Sequence, residues 1–122
     1  MIGYVTLGSN DIEATRRFYE PLMEMLGARR IFESESFLAW STGGETPILA
    51  VGKPFNGKAA THGNGTMIAL IASSTEQVDR LHKKALELGG INEGDPGIRS
   101  GGNYCAYFRD PDGNKLNFHC KP

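Results

Sequence analysis

One order of elements occurs twice along the chain, and this repetition constrains the fold more than any other feature. A strand-like run from Tyr4 enters a capped helix that Gly27 ends. A second run, containing Met67, enters a capped helix that ends at Gly89. Tyr4 and Met67 lie 63 residues apart, and Gly27 and Gly89 lie 62 residues apart. A chain of 122 residues is one domain in length, so it holds two related halves of about 60 residues.

Each half continues with three short strand-like runs. The predicted order is therefore strand, helix, strand, strand, strand in both halves. A four-stranded sheet with one helix has one face uncovered, so the two uncovered faces must meet each other, meet a partner or enclose a ligand. We expect an α+β fold of two βαβββ modules, residues 1–54 and 65–122, with sheets enclosing a cavity and a loop over residues 53–64. The predicted later strands are 29–33, 37–41 and 47–52, then one from residue 91, 104–109 and 115–120.

Two further local predictions concern the first helix and the last hairpin. Pro21 lies inside the first helical pattern and predicts a kink or break after Glu20. The segment Asp110-Pro111-Asp112-Gly113 predicts a hairpin turn. Matching polarity across the hairpin pairs Ala106 and Phe108 with the apolar face of the last strand, and Cys105, Tyr107 and Arg109 with Asn117 and His119. The alternative register would place Cys105 opposite Cys120.

The chain resembles the vicinal oxygen chelate superfamily, which contains glyoxalase I, bleomycin-resistance proteins and extradiol dioxygenases. The resemblance covers nearly the whole chain. It is carried by three segments: Ile2-Gly3-Tyr4-Val5-Thr6-Leu7 with Arg17-Phe18-Tyr19, Gly65-Thr66-Met67-Ile68-Ala69, and Asp110-Pro111-Asp112-Gly113-Asn114-Lys115-Leu116. In this order they are typical of the fold but indicate no particular reaction.

The resemblance implies a divalent metal held by His, Glu or Gln side chains on inward-facing strand positions. Those positions fall on Tyr4, Met67 and Asn117 here, and residues 47–54 contain no acid or histidine. A thioether and a neutral amide are poor ligands for such an ion. No metal or other cofactor is therefore expected, and His62 and His82 are interpreted as loop and surface residues rather than ligands.

Without a metal, the inferred inward faces form a small-molecule pocket that is lined by aromatic surface and by a few side chains with polar ends. The substrate-binding residues predicted for it are Tyr4, Thr6, Trp40, Met67, Tyr107, Asn117 and His119. For Met67 and Trp40, filling of the core is an equally good interpretation. No catalytic residue is assigned, although His119 is the natural acid or base of the set.

The leading hypothesis is a cytoplasmic, glyoxalase-like homodimer that binds a small apolar or aromatic molecule, similar to the bleomycin-resistance branch. The alternative is a glyoxalase-type lyase or isomerase, or a dioxygenase, that uses an atypical metal set or acid–base chemistry of His119. The third hypothesis is a regulatory protein whose cavity is filled in.

A formal charge of −1 argues against nucleic acid or membrane surfaces as partners. Two cysteines without a Cys-x-x-Cys spacing favour reduced thiols.

Overall fold

The computed structural model describes residues 1–45 and 47–122. They form two compact units, Met1–His62 and Gly63–Pro122, which we call unit 1 and unit 2. Each unit contains one four-stranded sheet of mixed direction and one helix. The predicted α+β class with two βαβββ modules is confirmed. None of the helices has the length and apolar character needed to cross a membrane within the described residues.

In unit 1 the element order is strand, helix and three strands. The elements are β1 (Tyr4–Gly8), α1 (Ile12–Met25), β2 (Arg29–Glu33), β3 (Phe37–Ser41) and β4 (Ile48–Gly52). Sheet 1 has the strand order β1-β4-β3-β2, in which β1 and β4 are parallel and the other pairs antiparallel. β1 and β4 run parallel, and α1, which follows β1, packs over one face of the sheet against β2 and β3.

Asp11 caps the start of helix α1, and its side chain accepts a hydrogen bond from the Ala14 amide at 3.1 Å. The helix continues through Pro21 to Met25, so a break after Glu20 does not occur. Proline removes one backbone hydrogen bond of the helix. The buried neighbours Phe18, Tyr19 and Leu22 anchor both sides of that position, which explains why the helix persists.

Unit 2 repeats this arrangement. Its elements are β5 (Ile68–Ile71), α2 (Thr75–Glu87), β6 (Ile91–Ile98), β7 (Tyr104–Arg109) and β8 (Lys115–Cys120). Sheet 2 has the strand order β5-β8-β7-β6 and the same mixture of directions as sheet 1. Ser74 caps α2 by accepting a hydrogen bond from the Gln77 amide at 3.1 Å, in agreement with the predicted cap.

The register of the last hairpin follows the polarity pattern. Ala106 pairs with Phe118 and Phe108 with Leu116, and all four side chains are fully buried on the face that packs against α2. Cys105 pairs with His119, whereas Cys120 lies opposite Tyr104. The predicted register is confirmed, and both cysteines are free and buried.

The segment after β4 is attached to the start of α1. The Asn10 side chain accepts a hydrogen bond from the Ala60 amide at 2.7 Å and donates one to the Ala60 carbonyl at 3.3 Å. Gly8 permits this approach, since a Cβ atom there would lie 2.8 Å from the Cβ of Ala60. The end of the 53–64 loop that belongs to unit 1 is therefore fixed at this point.

Candidate functional site

Alternation along the strands of sheet 2 gathers polar side chains on the face away from α2, which we call the helix-distal face. Asn117 lies at its centre, between its partners Ala69 on β5 and Tyr107 on β7. His119 follows on the same face, between Ile71 and Cys105. Opposite residues of neighbouring strands have Cβ atoms about 4.5–5.5 Å apart, so one ligand can contact Tyr107, Asn117 and His119.

Asn117 is the most unusual residue of this face. Its side chain is only 4% exposed, and its Oδ1 atom has no hydrogen-bond donor among the described residues. A buried acceptor without a donor costs about 1–3 kcal/mol. Native proteins contain few such atoms, and a bound ligand that supplies the missing donor is one explanation for an atom of this kind.

Charged groups surround Tyr107 on the same face. The Arg99 guanidinium carbon lies 5.3 Å, and the Lys115 ammonium nitrogen 5.4 Å, from the centre of its ring. Arg109 on β7 donates a hydrogen bond from Nε to Glu93 at 2.7 Å. That bond, together with the positive charges of Arg109 and Lys115, lowers the pKa of Glu93 below its ordinary value of 4.5.

Of the predicted site residues, the structure brings together Tyr107, Asn117 and His119. Met67 lies one residue before β5 and is 38% exposed. Tyr4 and Thr6 are together in unit 1, at alternate positions of β1, on the face of sheet 1 away from α1. Thr6 also lines a groove of about 370 Å³ in unit 1, whose other walls are Leu7, Gly8, Phe37, Gly52, Lys53, Pro54 and Phe55.

The prediction that Trp40 shares this inward face is wrong. Trp40 is 1% exposed, its ring stacks on Tyr19 of α1 with centroids 5.5 Å apart, and its indole N–H donates to Glu20 at 3.1 Å. Both partners belong to the helix. Trp40 is therefore a core residue between α1 and sheet 1.

The prediction that His82 is a surface residue is also wrong. His82 is 4% exposed, and its Nε2 atom lies 3.1 Å from both Asn92 Oδ1 and the Tyr107 carbonyl oxygen. Because both neighbours are acceptors, Nε2 carries the hydrogen. His82 thus holds the backbone of Tyr107 from the helix side of the sheet.

Arg99 is a site residue that the sequence reasoning missed. A signal for it exists in Gly94 and Gly97 of β6, which pair with Tyr107 and Cys105. Glycine inside a strand often marks a close approach by another group, and here the group is the Arg99 side chain.

The residues at the implied metal positions do not fit a divalent metal. They offer a phenol from Tyr4, a thioether from Met67 and a neutral amide from Asn117, where hard or borderline ions prefer carboxylate or imidazole. Across residues 1–45 and 47–122, no three His, Cys, Asp or Glu side chains cluster in a way that could hold a metal ion. No chemical step through a metal is derived for this chain.

Two βαβββ units, each with a helix-free sheet face that carries polar tips, define the class of the vicinal oxygen chelate fold. The model of the Glyoxalase/Bleomycin resistance protein/Dioxygenase superfamily matches residues 1–118, and this chain belongs to that superfamily.

Similar proteins include both solved structures and a curated enzyme. A glyoxalase/bleomycin resistance protein from Albidiferax ferrireducens T118 is 36% identical, with a TM-score of 0.91 over 100% of this chain and 99% of the other. A hypothetical protein from S. aureus is 26% identical, with a TM-score of 0.74 over 98% and 91% of the two chains. A lactoylglutathione lyase of Arabidopsis thaliana is 31% identical over 90% of this chain. The match spans only 40% of that relative's length.

Proposed function

We propose that this protein binds a small, partly aromatic or apolar molecule on the helix-distal face of sheet 2, without the catalytic metal of its superfamily. The observation that carries the proposal is the buried Oδ1 atom of Asn117, which lacks a donor in the described part of the chain. The Tyr107 ring beside it offers an apolar surface, and His119 offers a second polar tip. The free, buried cysteines suit a reducing compartment such as the cytoplasm.

The test is a screen of small aromatic compounds against the isotope-labelled protein by NMR. We expect the bound compounds to shift amide signals of β5, β7 and β8. The double variant Asn117→Leu, His119→Gln should weaken their binding about tenfold or more, since it removes both polar contacts. Compounds that shift only other regions, or bind the double variant with unchanged affinity, would remove this face from the function.

Folding of that variant should be preserved, which keeps the test interpretable. Replacing the unpartnered amide of Asn117 with leucine of similar volume removes a buried acceptor that has no partner. The melting temperature should therefore stay level or rise. A matched control is Lys83→Gln, Glu87→Gln on the exposed side of α2, which should leave both melting temperature and ligand binding unchanged.

A separate measurement examines the metal. We expect the purified protein to carry less than stoichiometric divalent metal, and added Zn²⁺, Ni²⁺ or Mn²⁺ to leave its melting temperature unchanged. The reason is the unsuitable donor set of Tyr4, Met67 and Asn117. Stoichiometric metal together with a stabilising shift would contradict the proposed absence of a metal.

The names of the curated relatives favour a second candidate, a lyase activity on lactoylglutathione. In this chain His119 would move the proton, because its imidazole lies on the same sheet face as Asn117. No hydrogen bond or ion pair orients its ring among the described residues, which makes this the weaker candidate. Interconversion of lactoylglutathione and its cleavage products that is lost in His119→Gln, with folding intact, would establish it. No interconversion by the wild type in either direction, with and without added metal, would exclude it.

A further inference from the structure

Arg99 is held in place over Tyr107 by the backbone of β6. Its Nη2 atom donates a hydrogen bond to the Asp95 carbonyl at 2.6 Å. A Cβ atom at Gly94 would lie 3.0 Å from the Tyr107 ring and 3.3 Å from Arg99 Nη2, and one at Gly97 would lie 3.0 Å from Arg99 Nη1. The two glycines therefore leave the space that the guanidinium occupies, which limits its freedom before any ligand arrives.

A second cation reaches the same ring from β8. Lys115 stands two residues before Asn117, so both side chains lie on the helix-distal face of sheet 2. Its ammonium nitrogen and the Arg99 guanidinium carbon lie 5.4 Å and 5.3 Å from the Tyr107 centroid. Two like charges near one ring repel each other, and an anion that binds either of them would relieve that repulsion.

The acidic groups nearby have other partners. Glu93 pairs with Arg109 at 2.7 Å, and the Asp95 carboxylate accepts a hydrogen bond from the Asn92 amide at 2.7 Å. In the described chain, neither Arg99 nor Lys115 has a carboxylate oxygen within 4.0 Å of its side-chain nitrogens. Arg99 and Lys115 are therefore two cations beside the Tyr107 ring that have no carboxylate within ion-pair distance in the described residues.

Arg99 and Lys115 require a hydrogen-bond acceptor, whereas Asn117 requires a hydrogen-bond donor. Asn117 is the direct strand partner of Tyr107, it is 4% exposed, and its Oδ1 atom accepts from no donor in the residues described. A ligand that satisfies the whole face needs an anionic group for the cations and, close to it, an O–H donor for Oδ1.

We infer that this face binds a hydroxycarboxylate: its carboxylate pairs with Arg99 and Lys115, and its hydroxyl donates to Oδ1 of Asn117. The Tyr107 ring supports the apolar part of the molecule. This inference rests on the proposed binding function and adds the chemical class of the ligand.

Three related compounds separate the two contacts. Mandelate carries ring, hydroxyl and carboxylate, phenylacetate lacks the hydroxyl, and mandelamide lacks the charge. Titration followed by the amide signals of β7 and β8 should show mandelate binding roughly tenfold more tightly than either of the others, because each loses one hydrogen-bonded contact. Raising the salt concentration should weaken mandelate binding and leave mandelamide binding nearly unchanged.

Variants assign the contacts to residues. Arg99→Gln and Lys115→Gln should each reduce the preference for mandelate over mandelamide, and Asn117→Leu should abolish the preference for mandelate over phenylacetate. The controls Arg80→Gln and Lys83→Gln make the same charge changes on exposed positions of α2 and should change neither preference.

The outcomes distinguish this inference from the proposed function. Equal binding of mandelate and mandelamide on this face, or preferences that survive the three variants, would overturn the hydroxycarboxylate assignment and leave the binding function in place. If none of the three compounds shifts signals of β5, β7 or β8 while other aromatic compounds do, the assignment is again wrong. If no compound of any class shifts them, both proposals fall.

Discussion

Gly52 at the end of β4 has no space for a side chain. A Cβ atom there would lie 2.4 Å from the Phe37 ring and 2.8 Å from the Ser36 carbonyl oxygen. The ring could turn, but the Ser36 backbone is fixed by a hydrogen bond from the Lys53 amide at 2.8 Å. The small size of this residue is therefore part of how β3 and β4 pack together.

Gly52→Ala should destabilise the protein by roughly 1–3 kcal/mol, the usual cost of an overpacked position. Urea unfolding measures the change. Gly3→Ala is the matched control, because a Cβ atom at Gly3 meets nothing within 4 Å, and it should be neutral or slightly stabilising. Equal stability of the two variants would show that the turn between β2 and β3 moves freely enough to accept a methyl group.

Single residues also mark where sequence reasoning succeeds or fails. Asn117 is predictable as a site residue, because it is a polar position in a strand whose alternation is clear. Its missing donor is not predictable, since that depends on every group that approaches from other strands. His82 fails for the same reason: its partners, Asn92 and the Tyr107 carbonyl, come from two strands that follow it in the chain.

At the scale of elements, α1 and β2 are joined by ion pairs. Arg16 contacts Glu33 at 2.6 Å, and Arg30 contacts Glu20 at 2.7 Å. The hydrogen bond from Arg16, followed by the charge of Arg30, lowers the pKa of Glu33 below its ordinary value of 4.5. The folded protein therefore releases this proton more readily than the unfolded chain does.

This difference predicts a pH dependence. The contribution of Glu33 to stability is present above pH 4.5 and is lost as the pH falls through the lower pKa of the folded state. The urea midpoint of Glu33→Gln should consequently fall less than that of the wild type between about pH 5 and about pH 3, with a small difference that salt reduces. Glu35→Gln, at an exposed glutamate of the β2–β3 turn, should keep the wild-type slope. An unchanged slope in Glu33→Gln would contradict the prediction.

The elements themselves are largely predictable, whereas the faces of some strands are not. The strands β2, β3, β7 and β8 have the predicted bounds, because glycines and polar turns separate them clearly. In β8 polar and apolar residues alternate, so its face follows from the sequence. In β3 the run Phe37-Leu38-Ala39-Trp40 is apolar throughout, and alternation carries no information there. That is why Trp40 is assigned to the wrong face.

At the scale of the whole molecule, many large apolar side chains remain exposed in the single chain. Tyr4 is 68% exposed and Phe32 53% exposed, although both lie in strands. All five residues of β2 are exposed, and this strand ends the order of sheet 1. Exposed apolar edge strands favour association with another chain. Other exposed large apolar side chains include Ile31, Phe55, Ile71, Ile91 and Ile98.

These side chains support the expectation of a homodimer that the family resemblance implies. Light scattering after size exclusion should give twice the chain mass of 13.3 kDa. Dilution should lower the measured mass toward that of one chain only when the protein concentration falls below the dissociation constant of the dimer. The double variant Ile31→Glu, Phe32→Ser should shift the equilibrium toward the monomer, since it places charge and polarity on the exposed strand β2. Lys83→Ser on the exposed side of α2 should retain the wild-type mass. A mass of 13.3 kDa at every concentration would disprove the dimer, and a double variant that remains fully dimeric would move the contact away from β2.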